Sequence, residues 1–166
     1  MQKRTVTTTL SPSAITNTLV YATHPDAAYA EITGIQIANT AGTDYEVDIR
    51  WLKDSVKAVS STHYQGDGVT PAWYHYDYYT GSSGPAVTDI INDGYVPAGA
   101  VLSIVDSPLL FQKRDAVLAQ PVQAGAINKL SVTVISCEYF DETVDMSTIS
   151  DVHFAQKHSE FILYKY

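Results

Sequence analysis

The chain has 166 residues and a formal net charge of −8, with 18 acidic side chains against 10 basic ones. Phosphate backbones are bound through clustered cations, so this balance excludes nucleic acid as an expected partner. A 45% apolar share excludes a disordered chain, and the length suits one domain around one core. Only 17% of residues are charged, while Thr, Val, Ala and Tyr are frequent, a mixture that favours strands over long helices.

The N-terminus, Met1-Gln2-Lys3-Arg4 followed by Thr-rich sequence, has no apolar signal core, so no cleaved secretion signal is expected. No window approaches the roughly 18 apolar residues of a spanning helix, and no membrane partner is expected. Arg4 to Leu10 and Thr18 to Ala22 read as two strands separated by Ser11-Pro12. Ala30 to Asn39 reads as a third. Its Ile32 falls on the opposite parity to Ile35 and Ile37, and a bulge at Gly34 restores one common apolar face.

Tyr45 to Trp51 alternates strictly. Tyr45, Val47, Ile49 and Trp51 point one way, and Glu46, Asp48 and Arg50 the other, so the segment is a strand with one buried and one wet face. Turn residues from Asn39 to Asp44 predict that it forms a hairpin with the strand before it. Further strands follow at Ala100 to Val105, after the Pro97-Ala98-Gly99 turn, and at Asp115 to Gln120, closed by Pro121. Leu130 to Cys137 is the last, with Leu130, Val132 and Val134 facing the core and Ile135 and Cys137 on the outer face. Cys137, the only cysteine, is expected to behave as a small buried hydrophobe, because Glu138 beside it has the wrong sign to activate a thiol.

Short strands with regular turn signals predict a single all-β domain, an antiparallel, jelly-roll-like sandwich over about residues 4–139. Two regions stand apart: an aromatic-rich insertion over about 53–94, and a C-terminal extension over 141–166.

No catalytic, cofactor-binding or metal-binding residues are assigned. His63, Asp67, His75 and Asp77 lie in loop-like sequence at spacings that fit no standard metal site, and His153 and His158 do not form a His-Glu-x-x-His pattern. Gly66-Asp-Gly68 and Gly81-Ser-Ser-Gly84 are too short to cradle phosphate, and no Gly-x-Ser-x-Gly elbow is present. Carboxylate pairs such as Asp89 with Asp93, or Asp141 with Glu142, sit in turn-like sequence. No nucleophile, base and orienter come together, so no enzyme is expected.

The densest local feature is Ala72-Trp-Tyr-His-Tyr-Asp-Tyr-Tyr79. Its rings suit three uses: anchors in a subunit interface, a stacking platform for a sugar, or a β-hairpin covering the domain's own core. The candidate interface residues are Trp73, Tyr74, Tyr76, Tyr78 and Tyr79, joined by Phe161, Tyr164 and Tyr166 of the C-terminal extension.

Five segments carry a resemblance: Leu19-Val-Tyr-Ala-Thr-His-Pro25, Ile32-Thr-Gly-Ile-Gln-Ile-Ala-Asn-Thr40, Tyr95-Val-Pro-Ala-Gly-Ala-Val-Leu102, Pro108-Leu-Leu-Phe-Gln-Lys-Arg-Asp115 and Leu130-Ser-Val-Thr-Val-Ile-Ser-Cys-Glu138. In their order the chain resembles the small β-sandwich virion structural proteins of tailed bacteriophages of marine and cyanobacterial type. The match spans about residues 4–139. It departs at the insertion, at the tail after 140, and at Arg114, where the family usually has Gly before the aspartate. The resemblance implies a non-enzymatic subunit of a virion, either capsid decoration or a neck or tail part. Such a subunit would be homo-oligomeric and would join other virion proteins in the host cytoplasm. The competing reading is a carbohydrate- or receptor-binding module that uses Trp73 to Tyr79.

Overall fold

The computed structural model describes residues 1–24, 26–53, 63–64, 71–73, 87–113 and 115–149. Its strands are β1 (Gln2–Leu10), β2 (Thr18–Ala22), β3 (Ala27–Asn39), β4 (Tyr45–Leu52), β5 (His63–Tyr64), β6 (Pro71–Trp73), β7 (Val87–Val96), β8 (Val101–Ser103), β9 (Leu109–Gln112), β10 (Ala116–Pro121) and β11 (Leu130–Phe140). All pairs are antiparallel.

Two sheets carry the fold. Sheet A has the order β1-β11-β3, with β8 and β9 sharing the far side of β3; sheet B has the order β2-β10-β4-β7. The chain passes from one sheet to the other at nearly every connection, and each late strand inserts beside an early one. This is the order of a double-sheet jelly roll, with β8 and β9 together filling one strand position. The expected antiparallel sandwich is therefore present. β5 and β6 form a separate two-stranded ladder, with His63 opposite Trp73.

The core lies between the sheets. Ile32, Ile35, Ile37, Leu130, Val132 and Val134 come from sheet A, and Val20, Tyr21, Val47, Ile49, Val117 and Ala119 from sheet B. On β11 burial alternates without a break, so Leu130, Val132, Val134, Ser136, Glu138 and Phe140 all point inward. On β3 the pairing slips between Ile135 and Ser136. Ile135 faces Gly34 and Ser136 faces Ile32, which leaves Thr33 as the extra residue. The bulge expected at Gly34 thus brings all three isoleucines to the core. A Cβ on Gly34 would stand 3.3 Å from Ile135 Cδ1, so glycine also admits a close neighbour there.

Three expectations change. β3 and β4 do not form a hairpin: β3 pairs with β11, β8 and β9, while β4 pairs with β10 and β7. Each strand has one apolar face, which the opposite sheet buries whether the two lie side by side or face each other, so alternation and a turn signal alone do not choose the partner. Cys137 is half-exposed rather than buried, because strict alternation on β11 sends odd positions outward; its Sγ lies 3.8 Å from Thr5 Oγ1. Asp48 is not wet: it is 7% exposed on the outer side of sheet B, and its Oδ2 accepts from Arg50 Nη2 at 2.7 Å.

Most of β7 falls within the stretch 53–94 expected to be insertion, and it is a strand of sheet B. The segment linking β4 to β7 is therefore 53–86. Among the described residues no helix is long and apolar enough to cross a membrane.

Candidate functional site

One end of the sandwich holds two buried carboxylates, Glu138 and Asp115. In sheet B, Ala22, Ala116, Leu52 and Val87 are successive register partners at this end. In sheet A, Gln2, Phe140 and Ala27 are in register here, and the last pair of β9, Gln112 with Tyr29, lies beside them. The turns joining 22 to 27 and 112 to 116 connect the two sheets at this end. β4 ends at Leu52 and β7 begins at Val87 here, β1 begins here at Gln2, and β11 ends here at Phe140.

Glu138 is its centre. Its inward position on β11 carries the carboxylate under the β2–β3 corner, where it is fully buried. Oε2 accepts from Arg4 Nη2 at 2.7 Å and from Arg4 Nε at 3.2 Å. Oε1 accepts from the Tyr21 hydroxyl and from the His24 backbone N–H, each at 3.0 Å. A buried carboxylate is tolerable because a cation and two further donors reach it. Burial first, then the Glu138 charge, push the Tyr21 phenol well above its ordinary pKa, so it stays a neutral donor.

His24 packs its ring against Phe140, with centroids 5.6 Å apart, while the Arg4 guanidinium lies 5.6 Å from the same Phe140 ring. Its Nδ1 accepts from the Asp26 backbone N–H at 3.1 Å. An Nδ1 that accepts carries no proton, so this hydrogen bond outweighs the looser 3.9 Å approach of the Asp26 carboxylate to the same nitrogen. Burial lowers the His24 pKa, against an opposing pull from Glu138, which agrees with a neutral ring.

Asp115 is the other buried carboxylate at this end, 3% exposed. Its Oδ2 accepts from the Gln112 N–H at 2.9 Å, closing the β9–β10 turn, and from Trp51 Nε1 at 3.0 Å. Its backbone oxygen accepts from Thr23 N–H at 2.8 Å, which ties the same turn to the β2–β3 corner. Trp51 faces inward as expected but is only half-buried, stacked on Phe111 at 4.5 Å and 13°.

The chain after β11 folds back over this end. Gln2 Nε2 donates to the Val144 oxygen at 2.9 Å, and Ile149 packs with Ala27 and Phe140. Asp145 caps the 3-10 turn Met146–Thr148 by accepting from Ser147 N–H at 3.0 Å.

Of the candidate interface residues, Trp73 is placed only as the last residue of β6. Its side chain, together with Tyr74, Tyr76, Tyr78, Tyr79, Phe161, Tyr164 and Tyr166, lies outside the described residues, as do the side chains of His63, Asp67, His75 and Asp77. Among the described residues no three His, Cys, Asp or Glu side chains converge to hold a metal ion. The Glu138 cluster escaped sequence reasoning, although a signal was present: a charged residue at an inward position, in step with Leu130, Val132 and Val134, requires a buried partner.

Neither protein-family models nor curated proteins give a match to this sequence. The fold and the end of the sandwich therefore carry the functional argument.

Proposed function

We propose that the chain is a non-enzymatic structural subunit of a tailed-phage virion, a capsid decoration or a neck or tail part, assembled in the host cytoplasm by contacts between proteins. The observation that carries this reading is where the chain leaves its sandwich. Leu52 and Val87, which flank residues 53–86, are paired at the same end as Gln2 and Phe140. A jelly roll whose β4 ends, β7 begins, β1 begins and β11 ends at one pole keeps the rest of its described surface for packing by symmetry.

The chemistry of that pole supports the reading. Glu138, Arg4, Tyr21, Asp115 and Trp51 bond to one another or to neighbouring backbone, and so hold the corners together. The aromatic residues of 73–79 and 161–166 supply side chains of the kind that anchor protein interfaces.

The test replaces Tyr76 and Tyr78 by Ser, verifies that the isolated chain still folds, and measures occupancy in assembled particles. Lost occupancy with a folded chain is the expected result. Undiminished occupancy with lost binding to a host-surface glycan transfers the segment to carbohydrate recognition. Undiminished occupancy without a glycan effect removes the segment from the contact.

A further inference from the structure

Four positions form the lateral edges of the two sheets: β1 and the β8/β9 pair in sheet A, β2 and β7 in sheet B. An edge strand presents unpaired N–H and C=O groups, and sheets usually guard against stray pairing with short strands, charges, prolines or bulges. Three of these edges are guarded. β8 and β9 are three and four residues long, interrupted by a segment with Asp106 and Pro108. β7 carries Asp89 and Asp93, slips twice in register against β4, and holds Asp93 at a φ of 50°. β2 is five residues long and buried throughout.

β1 has none of these guards over its second half. It runs nine residues in unbroken register along β11, from Gln2 opposite Phe140 to Leu10 opposite Val132. Thr5 to Leu10 contains no charge, proline or glycine. Among the described residues this stretch pairs with β11 alone, and alternate residues of a strand turn their backbone groups to the opposite side.

We infer that Thr5–Leu10 pairs antiparallel with the same stretch of a second copy, joining two A sheets across a two-fold axis beside Thr7. The strand's own pattern selects this occupant: Thr5 to Leu10 is uncharged and can pair with itself, and without an acid in β1 the repulsion between two chains of net charge −8 is least here. Antiparallel pairing about Thr7 sets Thr5 opposite Thr9 and Arg4 opposite Leu10, so the cations of the two copies stay apart. It also matches the faces: exposed Thr5, Thr7 and Thr9 lie on one side, buried Val6 and Thr8 on the other. Facing threonines are favourable cross-strand partners. Pro12 ends the strand beyond Leu10, and a two-fold contact closes at two copies. The inference concerns β1 and stands whether or not the chain belongs to a virion.

Sedimentation of the full chain over a concentration series is expected to show a dimer. Thr7→Lys sets two cations against each other at the axis and should weaken the dimer by about fivefold or more, as should Thr7→Glu. Thr7 is exposed on the outer face, and circular dichroism verifies that both variants fold. Mixing the two variants should restore association, since opposite charges then meet. In the wild-type dimer every second amide from Thr5 to Leu10 should exchange more slowly than in the monomer. A chain that stays monomeric up to about 1 mM, as it would if the strand of another protein were the true occupant, overturns the inference. So does an assembly indifferent to both variants, or a mixture that associates no better than either variant alone.

Discussion

Arg4 and Glu138 join the first strand of the sandwich to the last through an ion pair of 2.7 Å whose carboxylate is sealed from water. The Arg4 side chain keeps 15% exposure, so its charge retains a route to solvent while that of Glu138 has none.

Glu138→Gln keeps an oxygen for Tyr21 and His24 N–H but removes the counter-charge of Arg4. Losing one partner of a buried pair leaves the other uncompensated, and the expected cost is about 3 kcal/mol, at the lower end because Arg4 reaches water. Arg4→Met should cost at least as much. The double variant should lose clearly less than the sum of the two, read by urea unfolding. Additive losses would show that the pair does not couple the two strands.

His24 makes stability sensitive to mild acid. Burial depresses its folded pKa below the value near 6.5 of a free imidazole, so the unfolded chain binds the proton more readily. Its contribution is therefore complete above about pH 6.5 and is lost as pH falls through the depressed folded value. Melting temperatures measured from pH 7 to pH 5 should fall, and His24→Gln should flatten that slope. An unchanged slope in the variant would assign the acid sensitivity elsewhere.

Trp51 both stacks on Phe111 and donates to buried Asp115, and two substitutions separate these roles. Trp51→Phe keeps a ring but withdraws one donor from the carboxylate, at an expected cost of about 1–2 kcal/mol. Trp51→Ala removes the ring as well and should cost about 3 kcal/mol or more. Equal losses for the two variants would mean that the hydrogen bond carries the whole effect.

Gly94 sits where β7 crosses close to β4. A Cβ there would stand 2.8 Å from Ile91 Cδ1 and 3.1 Å from the Val47 carbonyl oxygen. Gly94→Ala should destabilise by about 1–3 kcal/mol through overpacking. Adding Ile91→Val removes the nearest methyl and should recover part of the loss in thermal melts. A double variant no more stable than Gly94→Ala would place the strain on the backbone contact instead.

How far the fold could be read from the sequence differs strand by strand. Tyr45 to Trp51 and Leu130 to Cys137 were legible because a period of two is local and each inward side chain is apolar. The Gly34 bulge was legible for the same reason, since three isoleucines of mixed parity need one extra residue to share a face. β7 was not, because Asp89 and Asp93 sit in turn-like sequence, and its two register slips erase the alternation. Asp115 was visible as the start of a strand, while its bond to Trp51 spans 64 positions and leaves no local trace.

The sequence by itself determined that this is an all-β sandwich and which face of each clear strand turns inward, because alternation and turn chemistry act over a few residues. It also set the charge of −8 and the uncharged run of β1. Only the tertiary structure decided which strands are neighbours, because an apolar face is buried equally well by any partner that covers it. β3 and β4 therefore face each other across the core instead of pairing, and a glutamate in step with the inward positions of its strand finds its partners in Arg4, Tyr21 and His24. The position of Arg4 shows why: it is 134 residues from Glu138 in sequence and beside it in register, and only the pairing of the first strand with the last brings the two charges together.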